Sequence, residues 1–131
     1  MSIQAHIVKN YQVEIKAGAH SLMADEPQSV GGDDQGPSPY DLLLASLEAC
    51  KLITVQMYAA RKDWPLEDVE IRIGTQKIHA KDCEDCESDP NAKVDLIEAE
   101  LRFLGDLDAD QRSRLLEISE RCPVHRTLTS E

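Results

Sequence analysis

From Ser38 to Lys62 the chain reads as one long helix with almost no polar face. Leu43, Leu47, Cys50, Thr54 and Met57 fall on one stripe, and Leu42, Ala45, Ala49 and Ile53 flank it. Ser38-Pro39-Tyr40-Asp41 is a start signal: Ser as N-cap, Pro at the first helical position, and an acid placed to reach back to the cap. Arg61 and Lys62 suit the negative end of the helix dipole, and Trp64-Pro65 ends it. A helix apolar on most of its circumference has to be covered on several sides. At 131 residues the chain is one domain, residues 1–131, close to the size at which a single core becomes self-sufficient. So small a body cannot easily cover such a helix alone. We therefore expect a homodimer in which each long helix packs against the partner.

The rest of the chain alternates. Tyr11, Val13, Ile15 and Ala17 interleave with Gln12, Glu14 and Lys16, the period of a half-buried strand. A weaker alternation through Ile3, Ala5 and Ile7 precedes it, and His20 to Ala24 forms a third short strand. Glu26 to Pro39, with three glycines and three prolines, is a loop. Beyond the long helix, Val69, Ile71 and Ile73 open a strand that extends toward Ile78, and Ala99, Leu101 and Phe103 form another. Asp108 and Gln111 make a second capping box, Leu115, Ile118 and Cys122 line the inner face of that helix, and Pro123 stops it. Runs of strands with one helix between them and one after them read as α+β.

Charge and composition exclude several classes. A net charge of −11 opposes binding to nucleic acid or to an anionic membrane, both of which favour clustered Lys and Arg. No apolar run approaches the roughly 20 residues that span a bilayer. The start MSIQAHIVKN is polar and strand-like, with no basic region followed by an apolar one, so no signal peptide is expected. The expected location is the reducing cytoplasm. There, four cysteines point to redox or metal chemistry more often than to structural bridges. Cys50 lies midway along the long helix and Cys122 directly before Pro123. Either alone reads as a small buried hydrophobe. Far apart in sequence and each at a packed junction, they also read as a pair that meets in the fold and cycles between dithiol and disulfide.

The run GGDDQGPSPYDLLLASLEAC, ending at Cys50, and the run RCPVHRTL, holding Cys122, resemble the OsmC/Ohr family of osmotically induced and organic-hydroperoxide-resistance proteins. The likeness extends over essentially the whole chain, including the order of strands and the two helices. It implies an α+β fold of antiparallel sheets with a long central helix and a second helix, assembled as an intertwined homodimer. It also implies a stress-response peroxidase, without cofactor, that reduces organic hydroperoxides and is recycled by an external dithiol such as a lipoyl protein. Cys50 matches the family's peroxidatic position and Cys122 the resolving one. The chemistry agrees: a thiolate attacks the O–O bond, and a second thiol condenses the resulting sulfenic acid into a disulfide. Cys122, at a helix C-terminus, would feel a partial negative charge that disfavours its thiolate, which suits the second role. Peroxidase members activate the thiolate with an Arg from the N-terminal strands, but this chain has no Arg before Arg61. Lys9, Lys16, Arg61 and Arg126 are the candidate substitutes. The family's Glu just inside the long helix corresponds to Tyr40, with Asp41 beside it, and Asp41 also reads simply as the capping acid. Glu48 and Lys51 are offset from the thiol's face. Three positions apart, they read as a surface or interface ion pair, with a pocket role for Glu48 as the alternative.

A second constellation, His79-x3-Cys83-x2-Cys86, lies in an acidic loop with Asp82, Glu84, Asp85 and Glu87. It offers three soft ligands for Zn²⁺ but lacks the second Cys pair of a structural site. The loop reads as a solvated face, a metal site or an auxiliary disulfide. His20 and His125 read as structural histidines or polar pocket residues. The leading function is the peroxidase. The alternative is a non-catalytic small-molecule or metal-binding protein of the same fold.

Overall fold

The computed structural model describes residues 1–79 and 91–130. The chain divides into two compact units, residues 1–47 and 48–131. In the first, β1 (Ile3–Lys9), β2 (Gln12–Ala17) and β3 (His20–Ala24) form an antiparallel sheet in that order. The two turns need positive φ and receive it from Asn10 (49°) and Gly18 (61°). After β3 the loop folds around one carboxylate. Asp25, 2% exposed, accepts the N–H groups of Glu26 (2.7 Å) and Gln35 (3.0 Å). The loop includes one turn of 3₁₀ helix at Gln28–Val30.

The long helix α1 (Pro39–Lys62) begins at the expected box: the Asp41 N–H donates to Ser38 Oγ (3.2 Å), and the Ser38 N–H donates to the Asp41 carboxylate (3.0 Å). Asp63, at φ 56°, ends the helix in the left-handed conformation, with the Trp64 N–H on the Ala59 carbonyl. Contrary to the reading of the bare sequence, α1 is long and apolar enough to cross a membrane by length and composition, with a mean hydropathy of 1.3 over an 18-residue stretch. Its central Lys51, however, is buried inside the protein at 3% exposure.

In the second unit, β4 (Leu66–His79) and β5 (Lys93–Gly105) pair as a long antiparallel ribbon, with the opposed Lys77 and Asp95 linking the two strands (2.9 Å). Helix α2 (Ala109–Ser119) starts at the Asp108/Gln111 capping box, with both reciprocal bonds formed. The core consists of Val55, Ala59, Phe103, Leu107 and Leu115, with Tyr58, Trp64, Leu66, Val69 and Leu101 packed against it. It clamps the C-terminal half of α1 to the ribbon and α2, each fully buried aliphatic chain contributing roughly 1.5–3 kcal/mol. Arg112 fastens the end of β5 to the start of α2, its guanidinium donating to the carbonyls of Phe103, Gly105 and Leu107. Gly105 is obligatory there: φ is 141°, and a Cβ would lie 2.2 Å from the Pro65 oxygen.

Two expectations need correction. Pro123 does not merely stop a helix; it is the first residue of a third one, α3 (Pro123–Thr129). And the covered stripe of α1 is Leu47, Lys51, Val55 and Ala59, at 3%, 3%, 0% and 1% exposure, while Leu43, Ile53 and Met57 are exposed. The buried stripe is offset by one residue from the stripe expected through Cys50, so it carries a lysine where only apolar residues were anticipated.

Candidate thiol site

Four side chains of the second unit meet where the middle of α1 faces the junction of α2 and α3. Cys50 and Lys51 come from α1, and Cys122 and His125 from the junction and α3. The local sequence explains the junction. Helix α2 closes at Glu120, whose N–H returns to Glu117, and the Arg121 N–H returns to Ile118. Cys122 then turns extended (φ −66°, ψ 143°), and Pro123 with its fixed φ starts the next helix. Cys122 is therefore the N-cap of α3: its Sγ accepts the His125 N–H at 3.2 Å. This corrects the reading of Cys122 as a helix C-terminal residue. Its sulfur faces a donor, not the negative end of a dipole.

Cys122 is fully buried and Cys50 half-buried, and both are free thiols. The Cys50 thiol is close enough to Cys122 to act on its titration. Burial pushes the Cys122 thiol up, and the neighbouring Cys50 adds to that; the His125 N–H and the Lys51 charge pull the other way without prevailing. With both thiols present, Cys122 therefore keeps its proton.

Lys51 is the residue that the sequence reading misplaced. Among the described residues it makes no ion pair with Glu48. Instead Nζ donates to the main-chain oxygen of Ser119 at 3.1 Å and sits 3.1 Å from His125 Nδ1. Ser119 is itself buried, its hydroxyl tied back to the Leu116 carbonyl at 2.6 Å. Burial lowers the His125 pKa, and the Lys51 charge lowers it further, with Glu120 opposing. A neutral imidazole accepting from an ammonium at Nδ1 carries its proton on Nε2. The site thus holds two thiols, one buried ammonium and one neutral imidazole.

The other candidates lie elsewhere. Asp41 is occupied in its capping box, and Glu48 is half-buried with no ion pair among the described residues. The Arg126 side chain is exposed, its N–H bonded to the Cys122 carbonyl. Lys16 pairs with Glu14 (3.8 Å), and Arg61 stacks on Tyr58, 5.8 Å from the ring centre. His20 is exposed on β3. His79 ends β4, but Cys83 and Cys86 lie outside the described residues. Among the described residues no group of three or more His, Cys, Asp or Glu could hold a metal ion. Only an irregularity marked Lys51 in the sequence: a charge at the i+4 and i−4 positions of two core residues, Leu47 and Val55.

Comparison with known proteins agrees with this architecture. The family profile of OsmC-like protein matches residues 32–131. No curated protein matches the chain. Among solved structures, an OsmC-like protein from Mycoplasma pneumoniae superposes with a TM-score of 0.75 at 18% identity, covering 98% of this chain and 86% of the other. An organic hydroperoxide resistance protein OsmC from Legionella pneumophila gives 0.67 at 20% identity, covering 98% and 88%. An organic hydroperoxide resistance protein from Elizabethkingia anophelis gives 0.67 at 14% identity, covering 100% and 90%. At such identities the likeness carries the fold.

Proposed function

The chain belongs to the OsmC-like protein family, and within it we propose a thiol-dependent peroxidase that reduces organic hydroperoxides through Cys50 and Cys122. The observation that carries this reading is the pairing of the two thiols: Cys50, half-exposed, is a near neighbour that acts on Cys122, which is fully buried and holds its proton. The accessible sulfur meets the substrate and the enclosed one waits to resolve it. Relatives named organic hydroperoxide resistance proteins support the substrate class.

In the first step the Cys50 thiolate attacks the terminal peroxide oxygen. The S–O bond forms as the O–O bond breaks, and the alkoxide leaves and takes up a proton as the alcohol. Cys50 is now a sulfenic acid. Cys122 attacks that sulfur, displacing hydroxide, which leaves with a proton as water, and the Cys50–Cys122 disulfide closes. An external dithiol returns both sulfurs to thiols and is itself oxidised to a disulfide. No cofactor enters. A reducing cytoplasm keeps the resting pair as dithiol.

The assembly proposed for this work is a homodimer. Leu43, Ile53 and Met57 leave α1 with 36%, 59% and 61% exposure, an apolar strip suited to a second copy of the chain. The deciding assay is consumption of cumene hydroperoxide with dithiothreitol as reductant. Wild-type protein turns over and Cys50→Ser does not; with no dithiothreitol present, Cys122→Ser reduces one equivalent of peroxide and stops at a Cys50 sulfenic acid. Wild-type protein without turnover overturns the assignment.

A further inference from the structure

We propose that Lys51, with His125, serves Cys122 rather than Cys50: it stabilises Cys122 as the thiolate that departs when an external dithiol opens the Cys50–Cys122 disulfide. The inference rests on the redox reading of that pair and adds a direction to it.

Three observations converge. The first is access: Cys50 is half-buried and Cys122 fully buried, so an incoming thiolate reaches the Cys50 sulfur. The second is the surroundings of the departing sulfur. The His125 main-chain N–H points at Cys122 Sγ from 3.2 Å, and the Lys51 ammonium is anchored on the same junction by Ser119 and His125. An ammonium has three N–H bonds. Two are committed to those partners, which leaves one for a sulfur or oxygen that develops negative charge. The third is orientation. Successive helix positions do not share a face, so Lys51 turns toward α2 and α3 and away from the side of α1 that carries Cys50 with Leu43, Ile53 and Met57. Among the described residues, Glu120 at the end of α2 opposes Lys51 at His125, and the two thiols are the other titratable groups acting at this junction.

The same geometry makes the assistance depend on the redox state. In the dithiol form, the Cys50 thiol and burial together keep Cys122 protonated. Once Cys50 is bonded to an external sulfur it can no longer carry charge, and one of those two opposing influences disappears. The His125 N–H and Lys51 remain. The step balances: the external thiolate attacks Cys50 Sγ, the Cys50–Cys122 bond breaks, and its electron pair leaves on Cys122. The second thiol of the dithiol then displaces Cys50 and closes the oxidised reductant. A leaving thiolate that is better stabilised departs faster.

The test needs no peroxide. Diamide oxidises the protein, and mass spectrometry identifies the Cys50–Cys122 disulfide. Its reduction by dithiothreitol is followed in wild type, Lys51→Gln and Lys51→Arg. Gln keeps a donor for Ser119 but loses the charge, so reduction slows about three- to tenfold; Arg keeps the charge and stays within about twofold of wild type. Equal rates in wild type and Lys51→Gln overturn the inference, as does equal slowing in both variants, which marks a packing role. Wild-type protein gives an independent reading if a variant fails to fold. With 2-mercaptoethanol the mixed disulfide accumulates on Cys50 with Cys122 free, and accumulation on Cys122 overturns the inference. If diamide forms no Cys50–Cys122 disulfide at all, the redox reading of the pair falls with it, a result distinct from the others.

Discussion

Replacing Arg112 by Met should weaken the protein and disturb the thiol site from a distance. The Arg112 guanidinium donates to three main-chain carbonyls, of Phe103, Gly105 and Leu107, where β5 hands the chain to α2. Helix α2 then carries Leu115 into the core and Ser119 to Lys51, so this joint sets where Cys122 lies relative to Cys50. Hydrogen bonds from a charged donor contribute about 1.5–3 kcal/mol each. The three share one rigid half-buried group, and the freed carbonyls regain some water, so they do not add. Met keeps the apolar stem. The expected loss is about 2–4 kcal/mol. With an unfolding entropy of about 2.1 cal/mol/K per residue, the melting point falls by about 7–14 °C. Lys, a single nitrogen without the planar fork, should recover at most about half of the loss. Urea unfolding at fixed protein concentration gives the value, provided the slope m is unchanged. Closure of the Cys50–Cys122 disulfide after diamide, followed alongside, should also slow. An Arg112→Met protein within about 0.5 kcal/mol of wild type would refute the role of this joint.

Three further outcomes follow from single residues. Burial pushes the Asp25 carboxyl up, but the N–H groups of Gln35, Glu26 and Asp33 more than offset it and hold it below the ordinary carboxylate value. Its contribution is therefore complete above that value and is lost as pH falls through the depressed one. In stability–pH curves, wild type and Asp25→Asn should differ by a constant amount near neutrality and converge in acid; parallel acid limbs would contradict this. His125, lowered from 6.5 by burial and then by Lys51, binds a proton more readily when unfolded. Its contribution is full above that value and declines as pH falls below it. Lys51→Gln should raise the His125 titration read from its imidazole NMR signals, and an unmoved titration would mean that the ammonium does not act on the ring. Met57→Glu, at 61% exposure on the open strip of α1, should convert a dimer to monomer in sedimentation at micromolar concentration. A variant that sediments as wild type would place the interface elsewhere.

Local sequence made most of the scaffold legible because each element is specified locally. The alternation from Tyr11 to Ala17, the boxes at Ser38/Asp41 and Asp108/Gln111, and the Trp64-Pro65 stop all correspond to the observed strands, caps and helix end. The last helix was hidden because Cys is not among the residues that ordinarily cap helices through a side-chain oxygen. Cys122-Pro123 therefore read as an end, although Pro at the first position is equally a beginning. Ambiguity in an all-round apolar helix hid the covered stripe. With Leu43, Ile53 and Met57 as apolar as Val55 and Ala59, periodicity cannot choose which face this chain covers and which it leaves open.

That ambiguity decided how Lys51 was read. A lysine between apolar stripes is inexpensive at the surface, and a nearby acid three positions away supplies a ready partner. Burying the same ammonium costs several kcal/mol unless it is fully bonded, so its place on the covered stripe requires acceptors from another element. The chain provides them with groups that no sequence pattern marks: a helix-terminal carbonyl at Ser119 and one ring nitrogen of His125. Both are presented only because α2 ends and α3 begins within a few residues of each other. The short α2–α3 junction therefore does two things at once. It caps a helix with Cys122 and receives the charge of Lys51, which brings a positive group to the buried thiol of Cys122. Lengthening that junction by one Gly after Arg121 should separate the two effects. The α3 cap can re-form, but the Lys51–His125 contact cannot keep its 3.1 Å spacing. The inserted protein should keep its helical content by circular dichroism while its disulfide reduction slows as in Lys51→Gln. Reduction at the wild-type rate would show that the ammonium acts without that anchor.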